Sequence, residues 1–337
     1  MKKYTLLAVL GLLLVGSVER LAADEKLSTV KRVAHGYGLT PEQAAEGWLA
    51  IFDGKTAFGF VEATLAKIND RMALQGGRTT TEFADFELVC DVIQGGTIIA
   101  AGESVEVKPG AVKINSRGRR GPIELKAGAA VSSMILKPLE LTSTLDRGSL
   151  RGWDRRENAT LPEGKRAKWT IENGVVRAQG GPGALEYAPR SGRNLFGDFV
   201  VQLVARSRLK DTNGGFFFRN EPGKTMMGYE AQLHNRWYGE GEHGYTTGGI
   251  DDRQQARAPV AVDFEPFRMT VIAHGPHLAT WVNGHQTNDW TDTRSPATNP
   301  REGLRLEPGT IQLQAHDPET DLEFHGVWIR EYPAAAK

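Results

Sequence analysis

The chain has a single cysteine, Cys90, among 337 residues, so an intrachain disulfide is excluded and oxidising surroundings are tolerated without being exploited. In "F-E-L-V-C-D-V" that cysteine reads as a small structural residue on a strand. A surplus of one charge is also missing. Lys and Arg number 41, Asp and Glu 41, and neither nucleic acid nor an anionic membrane finds a matching field. Helical periodicity is scarce, and past the N-terminus no apolar run approaches the ~20 residues of a membrane helix. Walker loops, dinucleotide fingerprints, zinc-protease motifs and nucleophile elbows are absent as well. What is plentiful is glycine, 39 residues, set between short alternating runs. That pattern predicts an all-β, turn-rich protein, and the length predicts two domains rather than one.

The first residues have the make-up of a secretory signal. Lys2 and Lys3 form a positive start, residues 4–18 an apolar stretch, and Leu21-Ala22-Ala23 a small-residue cleavage site. Residues 1–23 are therefore expected to be removed on export, to the periplasm or beyond the cell, with no membrane attachment afterwards. No cysteine lies near the cleavage site, which argues against a lipoprotein. Residues 24–46 read as a polar linker ending in a short helix, with Thr40 as cap, Pro41 in first position, Gln43 closing a capping box and Gly47 as stop.

The chemistry-bearing pattern lies further on. In Tyr229-Glu230-Ala231-Gln232-Leu233-His234, Glu, Gln and His occupy every other position. A strand sends alternate side chains to opposite faces, so one face carries those three and the other packs inward. Gly215-Phe216-Phe217-Phe218-Arg219 alternates likewise, with Phe217 and Arg219 sharing a face. A solvated strand face would alternate in the same way. Ile311-Gln312-Leu313-Gln314-Ala315-His316, however, repeats the design, so that Glu230, Gln232, His234, Gln314 and His316 are expected to meet Arg219 in one groove suited to a sugar. Trp237, Tyr238 and Tyr245 follow closely and are candidates to stack on a sugar ring. His274 and His277 read as loop residues. The Asn283-Gly284 and Asn173-Gly174 pairs predict hairpins with type I′ turns.

These runs also carry a resemblance. "G-G-F-F-F-R" at 214–219, "Y-E-A-Q-L" at 229–233, "T-T-G-G-I" at 246–250 and "W-V-N-G-H" at 281–285 are similar to the 3-keto-disaccharide hydrolase domain. "G-T-I-Q-L-Q-A-H" at 309–316 and "L-E-F-H-G-V-W-I-R-E-Y" at 322–332 complete the set, in chain order over residues 141–332. The resemblance implies an antiparallel two-sheet β-sandwich of concanavalin-like jelly-roll type over residues 141–333. One departure is the opening "L-D-R-G-S-L-R-G-W", where the family begins with a phenylalanine-led form.

Residues 47–140 carry degenerate echoes of the same landmarks. Phe52 to Phe60 pairs with Leu145 to Trp153, Phe83-Ala84-Asp85-Phe86 with Phe196-Gly197-Asp198-Phe199, and Gly121-Pro122-Ile123 with Gly309-Thr310-Ile311. This predicts a shortened related β-domain whose missing block holds the counterparts of Arg219, Glu230, Gln232 and the Asn283-Gly284 hairpin. Its role is expected to be structural or accessory.

Ordinary glycoside hydrolysis needs two carboxylates, and the Glu230 strand offers one. The resemblance implies another route, on glycosides oxidised at C3, where the ketone acidifies C2–H and elimination followed by hydration amounts to hydrolysis. Glu230 or His234 then serves as base, Arg219 holds the enolate, and His316 is acid or ligand. Gln232, Gln314, Trp237, Tyr238 and Tyr245 bind the sugar. A divalent metal ion would find competent ligands in Glu230, His234 and His316, although no tight metal motif is present. The partner is a carbohydrate, an oxidised glycoside or oligosaccharide. The alternative expectation is a non-catalytic carbohydrate-binding or scaffold module of lectin-like fold.

Overall fold

The computed structural model describes residues 35–126, 128–145, 149–157, 161–192, 194–237 and 245–333. The expected signal segment, residues 1–23, lies outside the described residues. The short helix is present as α1 (Pro41–Ala45), with both capping-box bonds between Thr40 and Gln43, and Gly47 at φ +90°. Nearly all other regular structure is strand, and every pairing is antiparallel. The all-β sandwich architecture is thus as expected.

After residue 141 two sheets face each other. The larger, eight-stranded, runs Lys168–Glu172, Val175–Gln179, Asp321–Glu331, Phe199–Ser207, Phe267–His274, His277–Val282, His285–Thr291, with Thr142–Ser143 added on Asp321–Glu331. The smaller has five strands, labelled here β1 (Trp153–Glu157), β2 (Gly183–Tyr187), β3 (Asn213–Asn220), β4 (Tyr229–His234) and β5 (Thr310–Ala315), in spatial order β1-β2-β5-β3-β4. The two predicted Asn-Gly hairpins are made, with Asn173, Gly174, Asn283 and Gly284 all at positive φ.

Residues 49–138 form another six-stranded and five-stranded sheet. Strand for strand in chain order, their arrangement matches that of the C-terminal pair, except that the His277–Val282 and His285–Thr291 hairpin has no counterpart. This corrects one expectation. Gly96–Ala100 and Glu103–Val107 occupy the places of β3 and β4, so the shorter half lacks the hairpin and long loops rather than those strands. Local contacts recur too. The Asp85 carboxylate accepts from Gly118 N–H at 2.6 Å, and that of Asp198 from Gly275 N–H at 2.9 Å. The Asp85 and Asp198 carbonyls accept from Leu139 and Tyr332 at 2.8 and 2.9 Å.

The large sheet has two dry faces, and its sequence shows why. Phe199, Val201, Leu203, Met269, Val271, Leu278 and Val282 point into the C-terminal core. The alternate residues Val200, Ile272, Ala279 and Trp281 join the core of the N-terminal half instead. Trp281 is buried there and donates its indole N–H to Ala50 O at 3.1 Å. Crossed ion pairs, Arg120 with Asp198 at 2.6 Å and Arg330 with Asp85 at 3.0 Å, close the seam. His274 and His277, expected in a loop, instead end one strand and begin the next of the large sheet, and both are buried against this seam. With one face of the large sheet covered by the N-terminal half, the outer face of β1-β2-β5-β3-β4 is left to bind.

Candidate functional site

Cross-strand register sets the site. Glu186, Gln312, Phe217 and Glu230 lie in one row across β2, β5, β3 and β4. Ala184, Gln314, Gly215 and Gln232 form the next row, and Asn213 pairs with His234 beyond them. Neighbouring strands lie about 4.8 Å apart, so the rows tile one polar face. The intervening Phe216, Phe218, Ala231, Leu233, Ile311 and Leu313 fill the core, as the alternation predicts.

Gly215 is small for a reason. A Cβ there would stand 2.2 Å from Glu230 Oε1, so the glutamate leans off its own row across Gly215, toward the middle of the face. Its partner is Arg301, with Nη1 3.0 Å from Glu230 Oε2 and Nη2 2.7 Å from Asp251 Oδ2. The guanidinium lies over the Phe217 ring, 5.3 Å from its centroid. Asp251 arrives because its loop runs alongside β4: Thr247 N donates to His234 O at 2.8 Å, Gly248 N to Gln232 O at 3.0 Å and Asp251 N to Glu230 O at 3.0 Å. The loop bearing Arg301 is tied down by Asp292, which takes both Arg294 and the Tyr229 hydroxyl, the latter at 2.6 Å.

The opposite wall is the β3–β4 connection, which folds back over the face. Gln312 accepts from Met226 N at 3.2 Å and donates to Lys224 O at 2.6 Å. Glu186 accepts from Gly223 N at 3.0 Å and Thr310 Oγ1 at 2.7 Å, and also from Arg156. Gln314 donates to Met226 Sδ at 2.8 Å, while its buried carbonyl oxygen has no partner. Between these walls is a cavity of about 460 Å³, lined by Phe217, Glu230, Gln232, His234, Gln314 and Arg301, with Asn213, Thr225, Met226, Tyr245, Asp251 and His316 around them. That volume accommodates a small sugar.

Electrostatically the cavity holds two groups tuned toward neutrality. Burial, reinforced by the Asp251 charge, pushes the Glu230 carboxyl up to about 8 against the opposing pull of Arg301. One guanidinium serves two carboxyl groups here, so a second buried anion would go uncompensated. Burial lowers the pKa of His234, keeping the ring neutral. At neutral pH the site therefore offers a carboxylic acid and a basic imidazole.

Of the residues singled out from sequence, Glu230, Gln232, His234, Gln314, His316 and Tyr245 come together, with His316 half exposed at the rim and within 3.4 Å of Asp317. Arg219 does not join them. The β3 register shifts between Phe217 and Asn220, Arg219 takes φ +46°, and its side chain turns away into the protein. There it is fully buried, donating to the carbonyls of Gly197, Gly275 and Arg305 and pairing with Asp198 at 3.0 Å. Trp237 is exposed and is not part of the cavity wall; Tyr238 lies outside the described residues. The metal set also fails. Among the described residues no three His, Cys, Asp or Glu side chains are placed to hold an ion, and Glu230 is already engaged by Arg301. Arg301 was missed because its segment, "R-S-P-A-T-N-P-R-E-G", has no periodicity to declare a face.

Residues 140–330 match the profile of the 3-keto-alpha-glucoside-1,2-lyase-like domain. The chain belongs to this family. The lyase-like domain spans all five strands of the site sheet, and membership makes the protein a carbohydrate-active one. No curated protein matches the chain. Among solved structures it is similar to a protein of Parabacteroides distasonis provisionally named a glycosyl hydrolase, at 16% identity over 54% of this chain and 89% of that one, TM-score 0.40. It is also similar to the exoplasmic/lumenal domain of VIP36 bound to Ca²⁺ and Man3GlcNAc, at 11% identity over 59% and 93%, TM-score 0.40. A Bacillus subtilis protein of unknown function with a galectin-like fold is 11% identical over 58% and 97%, TM-score 0.38.

Proposed function

We propose that the lyase-like domain, after export, cleaves glycosides carrying a ketone at C3, by elimination followed by hydration. The observation that supports this best is Glu230, a buried carboxyl held near-neutral in pKa at the centre of a sugar-sized cavity, with neutral His234 on the same face. In the reading, His234 takes the C2 proton and the electron pair moves to the C3 oxygen as an enolate. Return of that pair forms the C1–C2 double bond as the C1–O bond breaks, and the leaving oxygen receives the Glu230 proton. Water then adds at C1 while a proton returns to C2, completing net hydrolysis. Gln232, Gln314 and Asn213 bind hydroxyls, and Gln314 brings a buried, unpartnered carbonyl oxygen to that task. In this reading His316 and Tyr245, both on the cavity lining, flank the departing group.

This reading routes no step through a metal ion, in keeping with the failure of Glu230, His234 and His316 to gather as a ligand set among the described residues. The N-terminal half fits a shortened second copy of the same sandwich: matching strand orders and the paired Asp85 and Asp198 contacts support an ancient duplication. Its role in this reading is to cover the outer face of the large sheet.

The test is Glu230→Gln, which keeps shape and removes the transferable proton. The variant is expected to bind a 3-keto-glucoside by calorimetry about as well as the wild type while aglycone release falls roughly 10²-fold or more. Release at the wild-type rate would remove Glu230 from the chemistry.

A further inference from the structure

With Arg219 sealed among carbonyls, the enolate that elimination must form has no holder among the residues chosen from sequence. We propose that Arg301 is the catalytic residue that holds the developing oxyanion at the C3 oxygen, an inference that rests on the elimination reading above. Three observations carry it. Among the described residues lining the cavity, Arg301 is the one with a permanent positive charge. Its bonds to Glu230 and Asp251, at 3.0 and 2.7 Å, use two of its five N–H groups and leave three as donors on a residue that lines the cavity. Its guanidinium is held before substrate arrives, by the Asp251 bond on one side and the Phe217 ring beneath, 5.3 Å away. A donor fixed in advance where charge develops is worth far more than one that must reorient.

The arrangement also places the two ends of the reaction side by side. Arg301 touches the residue that protonates the leaving oxygen, and C3 and C1 flank the same C2. As the pair shifts from C2–H to the C3 oxygen, negative charge appears beside Arg301. As it returns and C1–O breaks, Glu230 surrenders its proton and becomes the anion, again beside Arg301. One cation therefore serves both stages, with Asp251 balancing its charge at rest.

The experiment separates proton removal from bond cleavage by using a keto-sugar with no leaving group, 1,5-anhydro-3-ketoglucitol. Deuterium entry at C2 from D₂O, followed by NMR, reports enolate formation alone. Wild-type protein is expected to catalyse exchange. Arg301→Gln should lose roughly 10²-fold or more of it, the usual cost of one oxyanion donor, and Arg301→Lys should keep part. A purely structural Arg301 would instead slow release and leave exchange intact, and that result overturns the proposal. Circular dichroism establishes that each variant is folded, and Arg301→Lys serves if the glutamine variant is not. Wild-type protein that neither exchanges nor releases would overturn the elimination reading itself, an outcome distinct from failure of Arg301.

Discussion

At the residue scale, Glu230 shows how position shifts the titration of an ordinary side chain. Register places it opposite Phe217, the missing Cβ of Gly215 lets it lean to the centre, and burial beside Asp251 raises its pKa to about 8. The sign of the pH dependence follows. Glu230 must carry its proton to act as acid, so release should fall as pH rises through about 8. His234 must be neutral, and its lowered pKa moves the acidic limb below the ordinary histidine range. Stability follows the same logic. A carboxyl whose folded pKa is raised contributes fully below its unfolded value, and that contribution is lost as pH climbs through the folded one. Glu230→Gln should therefore unfold at a higher temperature than wild type at pH 9 and at a similar one at pH 5, in parallel thermal melts. Equal melting at pH 9 would mean the carboxyl is not held neutral.

At the element scale, the strands were legible because alternation is a local signal. Gln232 and His234 could be placed on one face from the period of two alone. Arg219 was misplaced for the same reason: the period fails at a bulge, and nothing in "F-F-F-R-N" announces the shift between Phe217 and Asn220. Loops gave least away. The β3–β4 connection becomes a wall of the cavity because Glu186 and Gln312, from strands distant in sequence, reach its backbone beside the local bonds of Asn220. Gln312 makes two of those bonds, and its loss strands Met226 N–H and takes one of two donors from Lys224 C=O, Asn220 Nδ2 being the other, a local cost of about 1–3 kcal/mol. Gln312→Ala should thus be nicked faster by thermolysin between Glu221 and Gly228, with a raised KM, while the rest of the fold resists digestion. Unchanged cleavage there would show the wall to be held by other means.

At the scale of the whole molecule, two halves of matching strand order divide the labour. The N-terminal half buries Trp281, Val200 and Ile272 from the back of the large sheet, and crossed Arg120–Asp198 and Arg330–Asp85 pairs seal the join. Strand starts in both halves were marked in the sequence because turns and buried aromatics impose themselves wherever a strand begins. That the outer face of the large sheet is covered was not, since Val200 and Trp281 read like any strand residues until a partner surface is supplied. The same covering leaves the outer face of the smaller sheet, with its polar rows and its cavity, as the candidate site. The central claim is that this face acts on C3-oxidised glycosides. Its most direct test is to incubate the purified protein with a 3-keto-glucoside and with the unoxidised parent glucoside, following aglycone release from each. Release from the keto compound alone is the predicted result; release from neither, with the parent sugar bound in calorimetry, would contradict it and leave a lectin-like module.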